Sequence, residues 1–253
     1  MPDAPLTSAL SAAIPRSVEL ALPAGSTDEL GAKLRELLSS HDLVVMRGAG
    51  VEDQELVRLG SLLGRNCSEL KRFVTEGPTG PAGQSRWHHV GNLAGNNAAD
   101  ATLMAIREFP QSGGEFELVS NRLAWRQLAP EEQSRLRPLT VQHDFSTVRH
   151  TTARTDDPSR KAVLPLLMAT DGEPYLFLGF HAARIIELEE AESRSLLDDL
   201  MSRATRKECV YRHRWQPGDL LAWRNIPLMH HSLGFDAPSR RAMHEVTIRH
   251  LAA

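Results

Sequence analysis

The chain has 253 residues, of which 41% are hydrophobic, with a net charge of -3 at pH 7 and an isoelectric point near 6.4. This size is enough for a single domain with a full buried core, expected here over residues 1–253. The small net charge gives no electrostatic reason to expect nucleic acid or a membrane surface as partner. With two cysteines, no secretory leader pattern and no apolar run of about 20 residues, the sequence predicts a cytoplasmic protein.

The sequence predicts mainly helices in the N-terminal part of the chain and mainly strands after it. After an extended segment over residues 1–27, helical spacing of apolar residues predicts a helix capped by Ser26 or Thr27, then Glu55–Leu63 and about Glu189–Arg203. Short apolar runs between Pro, Gly and Asp turns predict strands at Leu43–Met46, Thr102–Glu108, Leu139–His143, Ala162–Met168, Tyr175–Leu178, Glu208–Arg212, Leu220–Trp223 and Met243–Ile248. This pattern favours a mainly β jelly-roll or barrel with flanking helices over a parallel α/β sheet.

Two histidine motifs carry the chemistry. The first reads Trp87-His88-His89-Val90, and the second runs from Trp223 to His230, followed eleven residues later by Arg241. An oxygen-activating iron site needs two imidazoles and one carboxylate on one face of the metal. The motifs supply the imidazoles, but valine stands where the carboxylate is expected.

The order of motifs along the chain resembles the taurine/2,4-D dioxygenase-like (TauD/TfdA) family of Fe(II)- and 2-oxoglutarate-dependent oxygenases. The resemblance runs from about Asp28 to the end, through LVVMRG, W-H, SGGE, HDF and YRHRWQPGDLLAW to RRAMHEVTI. It implies a cupin-like double-stranded β-helix that holds Fe(II) and 2-oxoglutarate. By the same resemblance, His88 and His230 are the metal ligands, and Arg241 clamps the far carboxylate of 2-oxoglutarate. The alternative is that the histidines are ordinary half-buried residues and the arginine lies on a strand surface.

Three departures from the family pattern bear on the chemistry. The pattern His-x-Asp reads His88-His89-Val90 here, so a third ligand would have to come from His89, Asn92, Glu115 or a substrate group. Because valine is close to aspartate in shape, it leaves little room for a halide, and halogenation ranks low.

The second departure is Phe116, which stands where the family has a threonine that hydrogen-bonds 2-oxoglutarate. Its ring either fills part of the co-substrate pocket or packs in the core. The third is Glu245, at a position where relatives that act on anions often carry arginine. An acid there would attract an amine or guanidinium, unless it is a solvated strand residue.

Other histidines are predicted to have structural roles. Alternation along a strand turns His231 away from the metal if His230 points toward it, and it places His89 opposite His88 if that stretch is extended. His143 is interpreted as structural.

Three functions remain open. The first is an oxygenase with an altered site, acting on a small polar substrate that bears an amine or guanidine. The second is a repurposed enzyme doing metal-independent acid/base, cyclase or lyase chemistry, with Glu245, His89 or Glu115 carrying protons. The third is a non-catalytic binding protein. No nucleic-acid or membrane partner is expected, and a homo-oligomer is compatible with the sequence.

Overall fold

Strands outnumber helices in the computed structural model, which describes residues 8–21, 25–76, 86–89, 99–144, 161–235 and 239–251. The helices are α1 (Thr27–Ser40), α2 (Asp53–Leu63), α3 (Asn121–Arg126), α4 (Pro130–Leu136) and α5 (Glu190–Ala204). The strands are β1 (Ser8–Ala9), β2 (Ser17–Ala21), β3 (Leu43–Arg47), β4 (Gly64–Cys67), β5 (Lys71–Glu76), β6 (Ala101–Glu108), β7 (Phe116–Ser120), β8 (Thr140–Asp144), β9 (Lys161–Pro165), β10 (Leu167–Thr170), β11 (Glu173–Leu176), β12 (Ala182–Ile185), β13 (Val210–His213), β14 (Leu220–Arg224), β15 (Leu228–Ser232) and β16 (Arg240–Leu251). Among the described helices, none is long and apolar enough to cross a bilayer.

A large sheet forms one wall of the molecule, in the order β1-β2-β3-β14-β6-β16-β4, with β5 also paired to β16. Its described strand pairs are antiparallel except for β2 with β3. Helices α1 and α2 cover the outer face, where apolar side chains from both helices pack against β3, β6 and β16 in one cluster: Leu34, Leu38, Leu59, Val44, Leu103 and Val246. The inner face is therefore left for a second wall.

The second wall is the sheet β13-β7-β15. Inward side chains of both walls share one cluster that includes Leu43, Met104, Trp223 and Met243 from the large sheet and Phe116, Leu118 and Leu228 from the second. On the other side of the second wall, Val119 and Met229 pack with residues of α3, α5, β8 and β12. Two sheets facing each other around a shared interior make a jelly-roll, as predicted.

The cap of α1 shows why the first helix could be placed from sequence. The Ser26 hydroxyl accepts a hydrogen bond from the Glu29 backbone N–H at 3.3 Å, and the Glu29 carboxylate accepts one from the Ser26 N–H at 2.9 Å. This reciprocal pair satisfies two backbone donors that a helix start leaves open. Ser26, rather than Thr27, is the cap.

Several predicted elements differ from the structure. The single strand predicted over Ala162–Met168 is two strands, because β9 pairs with β8 while β10 turns to pair with β11. The predicted N-terminal segment contributes β2, which lies parallel to β3. The glycines and prolines between Thr75 and Gln84 also predict an irregular lid over such a site. This segment begins inside β5, and its residues after Glu76 lie outside the described part of the chain.

Asp53, the first residue of α2, holds that helix onto the large sheet. Its Oδ1 lies 2.6 Å from His244 Nδ1 and accepts a hydrogen bond from Arg107 at 2.9 Å, while its Oδ2 accepts one from Arg72 at 2.9 Å. Partial burial alone would raise the pKa of Asp53, but these hydrogen bonds outweigh it and hold the pKa well below its usual range.

A lowered pKa makes this anchor a source of acid sensitivity. The stabilisation is present above the unfolded-state pKa of about 3.9 and is lost as pH falls below it. Asp53→Asn is therefore expected to lower the free energy of unfolding at pH 7, with a difference from wild type that shrinks toward about pH 3. Urea unfolding at both pH values measures this. Asp28→Asn, which removes an exposed ion pair with Arg58, is the control and should have little effect at either pH. A difference independent of pH would contradict the assignment.

Candidate metal and co-substrate site

His88 and His230 face each other across an antiparallel β-bridge, at the edge of β15 that is not paired with β7. The His88 N–H donates to the His230 carbonyl at 3.1 Å, and the His230 N–H donates to the His88 carbonyl at 2.9 Å. The centroids of the two imidazole rings are 4.3 Å apart. Both predicted metal ligands are thus brought together, although they lie far apart in sequence.

Both imidazoles are in forms that suit metal binding. The Nδ1–H of His88 donates to the Arg86 carbonyl at 2.5 Å, which selects the tautomer with its lone pair on Nε2. Burial, and then the charge of the neighbouring His88, lower the pKa of His230 well below its usual value, so His230 is neutral at pH 7. The Nδ1 of His230 is buried without a hydrogen-bond partner among the described residues. Metals bind the neutral imidazole.

The described side chains supply two of the three ligands that the expected iron site needs. Two nitrogens bound to one ion at about 2.1 Å lie roughly 3–4 Å apart, which the ring separation of 4.3 Å allows. In the described part of the chain, no group of three or more His, Cys, Asp or Glu side chains is arranged to hold a metal. Val90 and Asn92 lie outside that part, and the valine side chain has no donor atom. The residues therefore fit a metal held by two imidazoles and completed by another group.

Arg241 is a buried cation on β16. It is 4% exposed, and its Nη1 donates to the carbonyls of Leu233 at 2.8 Å and Gly114 at 3.2 Å. Its Nε is buried with no hydrogen-bond partner among the described residues, and the guanidinium carbon lies 5.4 Å from the centre of the Phe235 ring. Burial lowers the pKa of Arg241 because the charge is removed from water. A guanidinium with neutral described partners is prepared to receive an anion.

A glycine turn shapes the wall beside Arg241. Gly113 has φ +73°, and a Cβ at this position would lie 2.9 Å from the Gly234 carbonyl oxygen. A larger residue would push the turn away from the end of β15. The turn leads into Phe116, which is 2% exposed and packs its ring 5.1 Å from His230 and 5.5 Å from Trp223. The phenylalanine ring is thus part of the inner core and also a neighbour of the proposed metal ligand.

Glu245 lies on the inner face of β16, not on a solvated strand surface. The register of β16 with β5 places every second residue, Arg241, Met243 and Glu245, on the same face of β16. Met243 belongs to the inner core. Glu245 is 5% exposed, and Lys71 Nζ lies 3.6 Å from its Oε1. Burial raises the pKa of Glu245, although Lys71 partly offsets the shift. The interior therefore presents a cation and an acid on the same strand.

The model of the "Taurine catabolism dioxygenase TauD, TfdA family" matches residues 2–247. The chain belongs to this family. Among curated relatives, the alpha-ketoglutarate-dependent 2,4-dichlorophenoxyacetate dioxygenase of Cupriavidus pinatubonensis is 34% identical over 169 residues, which are 64% of this chain and 58% of the relative. Pentalenolactone F synthase of Streptomyces arenae is 30% identical over 199 residues, which are 70% of this chain and 67% of the relative. The match thus spans less than two thirds of the length of the first of these relatives.

Solved structures place the TauD/TfdA fold over almost the whole chain. AAD-2 in complex with Mn(II) and N-oxalylglycine superposes with a TM-score of 0.80 at 19% identity, covering 98% of both chains. A taurine dioxygenase from Burkholderia xenovorans gives a TM-score of 0.78 at 20% identity, covering 96% of this chain and 89% of the other. The jelly-roll predicted from the sequence is confirmed.

Within this TauD/TfdA fold, His89 is turned into the core and not into the interior of the roll. Its Nδ1 lies 2.9 Å from the Asn225 carbonyl and its Nε2 lies 2.8 Å from the Leu178 carbonyl. The ring stacks on Phe177 at 5.2 Å. Burial lowers the pKa of His89, although the hydrogen bonds to these carbonyls partly offset the shift. Both ring nitrogens thus lie within hydrogen-bonding distance of backbone carbonyls, and the catalytic role predicted for His89 stays a prediction.

Glu115 lies at the entry to β7, and the structure does not bring it into a metal-binding group with the two histidines. Its backbone carbonyl accepts a hydrogen bond from Leu233 at 2.9 Å. Its predicted role as a proton carrier therefore remains a prediction.

His231 points away from the interior, as predicted. Its Nε2 lies 2.6 Å from Oε2 of Glu117, whose Oε1 accepts a hydrogen bond from Arg212 at 2.6 Å. Trp87 packs 4.1 Å from the His231 ring, and both line a cavity of about 440 Å³ beside α5. His231 and Trp87, on the outer side of the second wall, thus make contacts that are separate from those of the His88–His230 pair.

Sequence reasoning missed three polar residues that support the site. Buried Asn225 accepts a hydrogen bond from Thr102 at 2.8 Å and donates to the Ala99 carbonyl at 2.9 Å. Lys71 pairs with Glu245, and Glu117 with His231. Asn225 and Glu117 could have been noticed in the sequence as polar residues among apolar neighbours. The Lys71 pairing depends on the register of β5 with β16, which the sequence does not reveal.

Proposed function

We propose that this protein is a 2-oxoglutarate-dependent oxygenase with an atypical metal site, acting on a small polar substrate that carries a cationic group. The observation that carries the proposal is the buried guanidinium of Arg241, which has backbone carbonyls and an aromatic ring as its described partners. A dicarboxylate such as 2-oxoglutarate would supply the missing negative charge. The names of the relatives, which include alpha-ketoglutarate-dependent dioxygenases, support the same co-substrate.

In this proposal, His88 and His230 hold the metal through neutral imidazoles, and Arg241 orients 2-oxoglutarate by its far carboxylate. With both bound, such a centre supplies oxidation of a substrate by O₂, coupled to loss of CO₂ from the keto acid. The chain's own contribution is to place both groups in an interior lined by Phe116, Trp223 and Met243, which excludes bulk water.

Glu245 supports the proposed substrate class. It faces the same interior as Arg241, four residues along β16, which is about 13 Å at the rise of an extended strand. A buried carboxyl repels sulfonates and carboxylates, whereas an amine or guanidinium would stabilise its charged form. The proposed substrate therefore places its cationic end near Glu245.

This proposal predicts pH-dependent binding of an amine ligand. Because burial raises the pKa of Glu245, its carboxyl keeps its proton to higher pH than an exposed glutamate does, and cation binding must expel that proton. Affinity for a primary-amine probe such as butylamine is expected to rise as pH increases through the raised pKa. Glu245→Gln should remove this rise, and Glu192→Gln, on the exposed face of α5, should not. Calorimetry from about pH 5 to 8 tests it, and an unchanged profile in Glu245→Gln would exclude Glu245 as the cation site.

The alternative is a repurposed family member that performs metal-independent acid/base, cyclase or lyase chemistry, or that only binds a small molecule. Two observations favour it: Val90 supplies no metal ligand, and the raised pKa of Glu245 suits a proton carrier. His89 and Glu115 remain further candidates for proton transfer under this alternative.

An anaerobic titration of metal-free protein with Fe(II), then with 2-oxoglutarate, separates the two proposals. The oxygenase is expected to develop the visible charge-transfer band of an iron–keto-acid chelate at near-stoichiometric iron. The His230→Ala variant is the control and should lack the band. If wild-type protein retains no iron and develops no band even with excess 2-oxoglutarate, the metal-independent alternative is correct.

A further inference from the structure

The groups that the sequence suggests as a third metal ligand differ in how well they suit that role. Both ring nitrogens of His89 lie within 2.9 Å of backbone carbonyls in the core. Glu115 joins no three-ligand group among the described residues, and Val90 has no donor atom. Asn92 lies outside the described residues, and on chemical grounds a bound anionic small molecule is the favoured candidate. An amide oxygen is in any case neutral, so it would not replace the charge of the missing carboxylate.

The positive charge of the interior also favours an anionic small molecule as the third ligand. A divalent metal bound by two neutral imidazoles keeps its full charge, and the interior already holds the buried guanidinium of Arg241. The nearby acid, Glu245, is paired with Lys71 and has a raised pKa. In the usual iron site, the protein carboxylate would offset part of the metal charge. In this protein, a metal held by His88 and His230 would be repelled by the Arg241 guanidinium until an anion binds.

A dianion that contacts both the metal and Arg241 would offset the unpaired positive charge of each. One carboxylate of 2-oxoglutarate would neutralise Arg241, and its keto-acid end would supply the metal with anionic oxygen ligands. Each partner therefore creates the binding site of the other. Such reciprocal dependence is positive cooperativity, with a favourable (negative) coupling free energy, and linkage requires that the metal and the co-substrate raise each other's affinity by the same factor.

We infer that the metal and 2-oxoglutarate bind this protein as an interdependent pair, and that the metal alone is held only weakly. The inference rests on the proposed function, because it uses the same two histidines and Arg241. It assigns the role of the missing aspartate to the co-substrate, so that the chain stays largely metal-free when 2-oxoglutarate is scarce.

The test is a binding measurement under anaerobic conditions, with no turnover. Mn(II) binding to the full chain is followed by the loss of the free-ion electron paramagnetic resonance signal, without and with saturating 2-oxoglutarate. The expected result is a Kd for Mn(II) that falls at least about 30-fold when 2-oxoglutarate is present, within the upper range of measured couplings. Calorimetry of 2-oxoglutarate without and with Mn(II) should return the same factor. Succinate, which keeps both carboxylates but lacks the keto carbon and is one carbon shorter, is the control and should produce a much smaller factor.

The outcomes separate this inference from the proposed function. Tight Mn(II) binding without 2-oxoglutarate would overturn the inference and leave the oxygenase proposal standing, with a third protein ligand to be found. An equal effect of succinate would also overturn it, because the coupling would then come from charge at Arg241 without chelation. If Mn(II) fails to bind even with saturating 2-oxoglutarate, and the His230→Ala variant behaves like wild type, both proposals are wrong.

Discussion

Replacing Arg241 by methionine is expected to weaken 2-oxoglutarate binding at least about 30-fold, because losing one side of a buried charge pair costs about 2–5 kcal/mol. Arg241 is 4% exposed, and its described hydrogen bonds go to two backbone carbonyls. The guanidinium is therefore held in place before any ligand binds. Methionine has a similar length and no charge. It therefore removes the anion contact while filling most of the space.

The same substitution should leave the ligand-free protein folded and close to wild type in stability. A buried cation without a described counter-ion contributes little net stability, so its replacement by an apolar side chain removes a desolvation cost as well as two hydrogen bonds. Thermal unfolding with and without 2-oxoglutarate and Mn(II) measures both effects. Arg240→Met is the matched control, because Arg240 is exposed on the same strand and pairs with Glu108. Wild-type stabilisation by 2-oxoglutarate in Arg241→Met would exclude Arg241 as its anchor.

Val90→Asp is expected to raise the affinity for Mn(II) in the absence of 2-oxoglutarate by on the order of 100-fold, because it restores a charged third ligand next to His88. The gain should be largest without the co-substrate, so the mutual dependence of the two ligands should shrink. Val90→Asn is the matched control: it has nearly the same shape as aspartate and no charge, and it should have only a small effect. Mn(II) titrations of the three proteins measure the change.

Turnover by the Val90→Asp variant distinguishes the functional proposals. If both wild type and variant decarboxylate 2-oxoglutarate in the presence of Fe(II), the native site is a working centre. If the variant alone does so, the wild-type chain has lost the oxidative chemistry and the alternative function is favoured. If the variant neither binds Mn(II) more tightly nor turns over 2-oxoglutarate, residue 90 does not face the metal, and the assignment of the first motif is wrong.

The elements that could be predicted from sequence are those with strong local signals. Helix α1 has a capping box at Ser26 and a regular apolar stripe, and α5 was placed to within about one residue. Strands β6, β14 and β16 stand out as apolar runs between turns. Their local patterns agree with their final environments, so distant contacts were not needed to assign them.

For the two strands that frame the His88–His230 pair, the sequence gives no prediction of β7 and only the alternation of His230 and His231 for β15. Each has five residues, and the burial of β7 is complete along its length, so no alternation of polar and apolar residues marks either strand. The proposed ligands could be identified from the motif, but the strands that position them could not. In the same way, the inward position of Glu245 became clear only from the pairing of β16 with β5.

The backbone bridge between His88 and His230 has a dynamic consequence. Each of these two amides donates to the other residue's carbonyl, so one opening event exposes both N–H groups to solvent. Their hydrogen-exchange rates should therefore rise and fall together, and separate from those of neighbouring amides in β15. Opening of the bridge separates the His88 imidazole from the His230 imidazole, which stays on β15 paired to β7, so the ligand pair is lost in one step.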